Sequence, residues 1–332
     1  MGSNEQNPRQ PTDLTGLLKF CIQNTTGDDV PGHQDGLEND EERKKFLMAA
    51  LSSLTQSPID QLKKGIEFVS NRLNEIQESN SSPEVITEAT DSIQDCVENI
   101  ILDIVSSIDF ANDFYKLNGL DLIKRLLSTR IPRCLIASCD IIAETVQNNP
   151  NAQNTVTDSG LLVDLLSLVD GNVASVLPVS EESQLEDVRV KALYAVSCLI
   201  RENESSLKVF ESNHGYSILI RSIVSKNQKL RIKSSFLLVS LIQANPAVPE
   251  ILHSLGFLGQ VVPILSEPHD ESHEHLLSAV SFLVTQNEES RNEVSKSGLK
   301  SVLEKKLIEL DGKEEHLEEF KYCQDILKLC FK

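Results

Sequence analysis

One short pattern recurs five times along this chain: an apolar stretch, a small turn, a glycine and a leucine-rich stretch. The recurring glycines are separated by 41, 55, 41 and 42 residues, and they are Gly119, Gly160, Gly215, Gly256 and Gly298. A period near this length is typical of stacked helical units, each of which buries its apolar face only against its neighbours. The pattern predicts an all-α solenoid, and such folds usually bind other proteins.

A second landmark keeps the same spacing. Each predicted long helix ends at an asparagine, and these are Asn149, Asn203, Asn245 and Asn287. Together the two landmarks define units of three helices: a short one before the glycine, a second after it, and a long third ending at the asparagine. Three helices per unit favour armadillo repeats over HEAT repeats, which have two. We expect each glycine to turn the chain in the left-handed conformation.

The predicted architecture is a right-handed armadillo-repeat solenoid with helical caps. The one long glycine interval predicts an inserted surface loop at residues 170–186. Helices are expected at residues 13–24, 42–54, 58–77 and 83–107, with a flexible linker at residues 25–42. The predicted parts are a flexible N-terminal segment with one short helix (1–41), N-terminal capping helices (42–107), armadillo repeats (108–308) and a C-terminal capping helix (309–332).

The net charge limits the classes of partner that we expect, and the cysteines indicate the redox environment. The formal net charge is -19, which opposes binding to nucleic acid or to an anionic membrane, so we expect neither. The seven cysteines are odd in number and form no Cys-x-x-Cys pair, which indicates reduced thiols. With no secretory signal pattern at the start and no apolar run of transmembrane length, we expect a cytoplasmic monomer.

No pattern for catalysis stands out. Residues 269–275 hold three histidines among acids, but they lack the two-histidine, glutamate-centred motif of a zinc protease helix. An acidic helix N-terminus explains this segment better, because carboxylates there are favoured by the helix dipole. The chain also lacks a phosphate-binding glycine loop and a nucleophile elbow. We therefore expect no enzymatic activity, no catalytic residue, no metal and no cofactor.

The long helices carry a candidate binding face. At 100° per residue, Asp187, Lys191, Tyr194, Cys198 and Arg201 fall on one stripe, opposite an aliphatic side. Shifting by the repeat length gives three equivalent stripes: Arg133, Ala137, Asp140, Glu144 and Gln147; Lys229, Lys233, Phe236, Ser240 and Gln243; and Glu271, His275, Ser278, Phe282 and Thr285. These stripes are either merely solvated helix faces or a protein-binding ladder. Aromatic and basic residues within an acidic chain favour binding.

The sequence also resembles a known family. The similarity lies in residues 17–20 (LLKF), 108–120 (IDFANDFYKLNGL), 145–153 (TVQNNPNAQ), 189–201 (RVKALYAVSCLIR), 228–238 (QKLRIKSSFLL), 273–280 (HEHLLSAV) and 322–331 (YCQDILKLCF). With these segments the chain resembles the armadillo-type nucleotide-exchange factors of the 70-kDa heat-shock chaperone. The resemblance covers nearly all of residues 13–331 and departs from the family at the 170–186 loop.

The resemblance implies a function. Members of this family hold one lobe of the chaperone's ATPase domain in their concave face, which is incompatible with a closed cleft, so ADP is released. Their N-terminal segment assists substrate release, a role that would fall to residues 13–24. Carried onto matching motifs, the implied contact residues are Lys191, Tyr194, Arg201, Lys229, Lys233, Phe236 and His275, with Gln147 as a further candidate. The stripe on the first long helix adds Asp140 and Glu144. Asn148 and Asn149 are further candidates, and Asn149 is alternatively a structural cap.

A competing function is that of an adaptor for extended peptides, as in importin- or catenin-like armadillo proteins. Those proteins grip the peptide backbone with a ladder of asparagines on the long helices. The equivalent positions here hold Glu144, Cys198, Ser240 and Phe282. The repeats are also few, and both points favour a folded domain as partner.

Overall fold

The computed structural model describes residues 57–77, 82–171 and 182–331, and every structural statement below refers to these. The chain divides into two compact units, Met1–Gln61 and Leu62–Lys332. Because only residues 57–61 of the first unit are described, the fold below is that of the second. The helices predicted at 13–24 and 42–54, the linker at 25–42 and most of the 170–186 loop lie outside the described residues.

Three helices precede the repeats. They are α1 (Pro58–Gln77), α2 (Pro83–Cys96) and α3 (Leu102–Val105), and a π-helical turn, Val97–Ile101, joins the last two. Ser82 begins α2, since its hydroxyl accepts a hydrogen bond from the Val85 amide and a proline follows it in the first turn. The helices predicted at 58–77 and 83–107 are therefore confirmed, with the second interrupted by the π-helical turn.

The repeat region contains helices in groups of three, and the described residues contain no strand. The helices are α4 (Ile108–Lys116), α5 (Gly119–Ser128), α6 (Pro132–Val146), α7 (Pro150–Asp158), α8 (Leu161–Val169), α9 (Glu182–Ile200), α10 (Glu204–Ser212), α11 (Gly215–Ile223), α12 (Gln228–Ala244), α13 (Val248–Ser254), α14 (Phe257–Leu265), α15 (Ser272–Gln286), α16 (Glu288–Lys296) and α17 (Leu299–Leu310). A 3-10 turn, Glu314–His316, leads into α18 (Leu317–Cys330). The predicted all-α class is confirmed.

The third helices of successive units form one layer. Helix α6 packs on α9, α9 on α12, α12 on α15 and α15 on α18. Helix α2 also packs on α6 and begins the layer. The aliphatic side of α9 is buried in this stack, with Leu193, Val196 and Leu199 almost fully inaccessible. Helix α18 thus takes the place of a fifth long helix, so the layer runs without a break from α2 to the C-terminal end of the described chain.

No single described helix is both long and apolar enough to cross a membrane. Only α13 and α14 taken together, a pair bent by 81°, reach the required length and composition.

Three of the four recurring asparagines cap the first helix of the next unit. Asn149, Asn203 and Asn287 accept hydrogen bonds from the backbone amides three residues ahead, at 3.3, 2.8 and 2.7 Å. Asn245 accepts instead from the Ala247 amide, two residues ahead, at 3.0 Å. The first three bonds each satisfy a first-turn amide that would otherwise lack an intrahelical partner. The Asn245 bond instead lies in the turn before α13, whose N-cap residue is Ala247. The interpretation of Asn149 as a structural cap is therefore confirmed.

The recurring glycines serve two different purposes. Gly160 and Gly256 adopt the predicted left-handed conformation, with φ of 84° and 67°. At Gly119 and Gly215 the prediction is wrong, because the preceding residue takes that conformation and the glycine is the first residue of a helix. Glycine is needed at those two positions because a Cβ atom would lie 2.3 or 2.4 Å from a buried phenylalanine ring, Phe114 or Phe210 respectively. The left-handed prediction is also wrong for Gly298, whose φ is -63°.

This difference predicts unequal costs for the same substitution. Gly119→Ala should lower the free energy of unfolding by about 1–3 kcal/mol, because the new methyl group overlaps the Phe114 ring. Gly298→Ala is the control: nothing lies within 4 Å of the position that its new methyl group would occupy, so it should be neutral or stabilising by up to about 1 kcal/mol. Urea unfolding followed by circular dichroism measures both. Equal effects at the two positions would contradict this account of the recurring glycines.

Candidate protein-binding face

The four predicted stripes lie on α6, α9, α12 and α15, and we call them together the ladder. Its two prominent aromatic residues are open to solvent, with Tyr194 42% and Phe236 54% exposed. Arg201, Lys229 and Lys233 are also exposed. The ladder is not uniformly accessible, however, since the stripe residues Ala137, Cys198 and Ser278 are buried.

Side chains on the stripes of neighbouring long helices contact each other along the ladder. Lys191 on α9 forms an ion pair with Asp140 on α6, with Nζ 2.8 and 2.9 Å from the two carboxylate oxygens. The Lys233 ammonium lies 5.5 Å from the centre of the Tyr194 ring, a cation–π contact. The Phe236 ring meets the His275 ring edge to face, with centroids 5.8 Å apart. A further ion pair joins Arg133 on α6 to Asp91 on α2.

These contacts distinguish among the predicted site residues. Lys191 and Asp140 neutralise each other, and both are partly buried, so they are less available to a partner. Glu144 is half-buried beside Tyr194 and Cys198. The pKa of Tyr194 is raised mainly by Cys198 and that of Cys198 mainly by burial, and the Glu144 charge adds to both shifts. Gln147 is exposed just after the end of α6, and Lys229 is exposed at the start of α12. Arg201, Tyr194 and Phe236 combine high exposure with a central position.

Two cavities open along the ladder and meet at Arg201. The larger, of about 740 Å³, is lined by Arg201, Phe236 and His275 together with residues of α18. The smaller, of about 300 Å³, is lined by Gln147, Tyr194 and Arg201. Arg201 lines both, and its guanidinium makes one long hydrogen bond, 3.5 Å, to the Ser197 hydroxyl. Its charged group is therefore accessible from either side.

Buried hydrogen bonds hold the backbone of Arg201 in place. The Gln153 side chain donates to the carbonyl oxygens of Cys198 and Arg201, at 2.8 and 3.1 Å. Asn203 donates in turn to Gln153 and Asn154, at 3.2 and 2.9 Å. The two bonds from Gln153 lie within the unit α7–α9, whereas the two from Asn203 join the start of α10 to the preceding unit. The end of α9 is thus fixed against α7, which determines where the guanidinium emerges.

Among the residues of the larger cavity that helical periodicity did not indicate, two lie on α18. Glu318 and Tyr322 line it from α18, which we predicted only as a cap. The signal was the position of α18: as the third helix of a fifth unit, it presents a face to the same side as the other long helices. Glu202 and Asn148, which precede the caps Asn203 and Asn149, have positive φ and also line the smaller cavity.

The described cysteines are free and poorly suited to nucleophilic chemistry. Burial raises the pKa of Cys96 and Cys134 to about 11, and that of Cys139 and Cys323 to about 12. The pKa of Cys198 is raised for the same main reason. Since the thiolate is the reactive form, these thiols are protonated and unreactive at neutral pH.

The histidine-rich segment forms part of a buried polar cluster. His273 Nδ1 lies 2.7 Å from Lys306 Nζ, which in turn lies 3.3 Å from a carboxylate oxygen of Glu319. Burial, and next the Lys306 charge, lower the pKa of His273 to about 4, so it is neutral at neutral pH. His269 and His316 approach the same glutamate from outside. Within the described chain, His269, His316 and Glu319 are the group whose ligand atoms could hold a metal ion.

Comparison with known proteins assigns the chain to a family. A family model described as "Nucleotide exchange factor Fes1" matches residues 14–114. Hsp70-binding protein 1 of Mus musculus is 31% identical over 98% of this chain and 87% of its own length. The chain belongs to this family. The Hsp70 nucleotide exchange factor FES1 of Mycosarcoma maydis is 31% identical over a shorter region, 43% of this chain and 34% of the fungal protein.

The relatives are named for binding or for nucleotide exchange, in agreement with the expectation that this member of the family is not an enzyme. Solved structures agree on the fold. A designed armadillo repeat protein superposes with a TM-score of 0.55 at 16% identity, covering 78% of this chain and 98% of the designed one. The armadillo architecture is therefore confirmed.

The bonds around Arg201 generate a stability prediction. Asn203→Ala should lower the free energy of unfolding by about 2–3 kcal/mol, because it removes both a helix cap and buried hydrogen bonds between units. Asn227→Ala is the matched control: Asn227 caps α12 through the Leu230 amide, a bond within one unit, so the loss should be about 1 kcal/mol. Denaturant unfolding of both variants compares them. A smaller loss for Asn203→Ala than for Asn227→Ala would contradict the inter-unit role.

Proposed function

We propose that this chain is a co-chaperone that binds the ATPase domain of Hsp70 through the ladder and promotes release of ADP. The observation that carries the proposal is the relationship to Hsp70-binding protein 1 over 98% of the chain. The ladder supports it, because exposed aromatic residues and an accessible arginine are the usual energetic anchors of protein interfaces. The cavities beside Arg201 offer pockets into which partner side chains can fit.

The mechanism requires differential binding and no catalytic group. If the ladder fits the open form of the ATPase domain better than the closed, ADP-holding form, binding shifts the domain toward the open form. ADP then dissociates more readily. By linkage, ADP must weaken binding of this chain by the same factor by which this chain weakens binding of ADP.

The face suits a folded partner better than an extended peptide. Peptide-binding armadillo proteins need amide side chains at one position of each long helix, and the equivalent residues here are Glu144, Cys198, Ser240 and Phe282. Cys198 is only 9% exposed, and Phe282 is packed against the core. Neither side chain can grip a peptide backbone. We further propose that the chain works as a monomer in the cytoplasm, with neither a membrane nor a nucleic acid as partner.

Arg201→Ala tests the proposed face. Arg201 is exposed, and its guanidinium makes one long hydrogen bond, so the free energy of unfolding should change by about 0.5 kcal/mol or less. Affinity for the nucleotide-free Hsp70 ATPase domain should fall on the order of thirtyfold, equivalent to about 2 kcal/mol. Isothermal titration calorimetry measures the affinity, and release of labelled ADP at limiting protein concentration should slow in parallel.

Val163→Ala is the matched control, since Val163 is an exposed apolar residue on α8 and lies outside the ladder. It should bind and exchange like the parent. If the parent itself leaves ADP release unchanged, the function is wrong. If the parent accelerates release and Arg201→Ala does so equally well, the function stands and the proposed face is wrong.

A further inference from the structure

Three potential metal ligands from distant parts of the sequence converge near the C-terminal end of the stack. His269 precedes α15, His316 ends the 3-10 turn before α18, and Glu319 lies in the first turn of α18. One ligand atom from each residue lies within 4.8 Å of the other two. The rings of His269 and His316 also contact each other, with centroids 4.7 Å apart.

Two of the three distances between these atoms are close to those of a tetrahedral zinc site. His269 Nε2 lies 2.7 Å from Glu319 Oε2, and His316 Nδ1 lies 3.9 Å from the same oxygen. Zinc bonds of about 2.0–2.1 Å place neighbouring ligand atoms about 3.3–3.4 Å apart. The distance from Glu319 to His269 must therefore widen and the distance from Glu319 to His316 must narrow, each by roughly half an ångström. Both imidazoles are partly exposed, so small rotations about their side-chain bonds accomplish this.

We propose that His269, His316 and Glu319 bind a zinc-like divalent cation, with water completing the coordination. Two imidazoles and one carboxylate form a nitrogen and oxygen ligand set that zinc accepts readily. This site is independent of the proposed chaperone function. It was not predictable from the histidine-rich segment, because only one of that segment's three histidines takes part and the other ligands lie about 50 residues further along.

The surroundings of Glu319 resemble the outer shell of a metal site. Its carboxylate is fully buried, and the oxygen not directed at the imidazoles lies 3.3 Å from Lys306 Nζ. Lys306 is itself held by His273 at 2.7 Å. Such contacts fix the orientation of a ligating carboxylate. The Lys306 charge also repels a cation, so the affinity should be lower than for a site without that neighbour.

A cation can reach these residues from solvent. A cleft of about 710 Å³ lies beside the cluster and is lined by His269, Lys306 and Glu309. The side chains of His269 and His316 are 32% and 25% exposed, whereas that of Glu319 is fully buried. Bound metal would join the segment before α15 to the start of α18. It would therefore secure the last long helix of the stack.

The test uses the full-length chain, treated with a chelator and then titrated with zinc chloride. We expect binding of one equivalent by calorimetry and a rise in the midpoint of thermal unfolding, since a ligand that binds only the folded state stabilises it. His269→Ala and His316→Ala should each weaken zinc binding by at least about tenfold. His275→Ala is the matched control, because His275 contacts Phe236 outside the cluster, and it should bind zinc like the parent.

Cobalt substitution separates this site from the cysteines. A Co²⁺ spectrum of nitrogen and oxygen ligation, without thiolate charge-transfer bands, supports the proposal. Absence of a zinc-dependent shift in the parent, thiolate bands, or unchanged affinity in both alanine variants would overturn it. Circular dichroism in the presence of chelator verifies folding. If an alanine variant does not fold, His269→Gln and His316→Gln retain a hydrogen-bonding group and give the same comparison.

Discussion

Each long helix can bury its aliphatic side only if the long helix of the next unit stacks beside it. In α9 that side includes Leu193, Val196 and Leu199, all nearly inaccessible within the layer. Stacking fixes the register of the opposite side as well, so that side chains about 40 or 50 residues apart in sequence become neighbours. The Lys191–Asp140 ion pair and the Phe236–His275 contact follow directly from that register. The candidate binding face is therefore a consequence of the core.

Much of the fold was predictable because its signals are local and repeated. Glycine and asparagine spacing indicated the three-helix units, and aliphatic periodicity indicated which side of each long helix is buried. The physical reason why each position requires glycine was not predictable. Gly119 avoids the Phe114 ring, whereas Gly160 provides a left-handed turn, and both look alike in sequence. Only the packing of the preceding helix distinguishes the two cases.

The site was predictable as a face but not as a set of contacts. Helical geometry placed Tyr194, Arg201 and Phe236 on one exposed side, since a 3.6-residue period suffices for that. It could not show that Lys191 is paired with Asp140, because this depends on the spacing between stacked helices. It also missed Tyr322, whose helix was taken for a cap, and the convergence of His316 and Glu319 on His269. These are long-range contacts that one-dimensional periodicity does not encode.

The central claim is that the ladder itself contacts the Hsp70 ATPase domain. Site-specific photo-cross-linking tests this most directly, with the photoreactive residue placed at Phe236 on the ladder or at Val163 on α8, both exposed apolar positions. The account predicts a cross-link to the nucleotide-free ATPase domain from position 236 and none from position 163. Added ADP should reduce the yield, because binding of the two ligands is reciprocally coupled. A cross-link from position 163 alone would contradict the account.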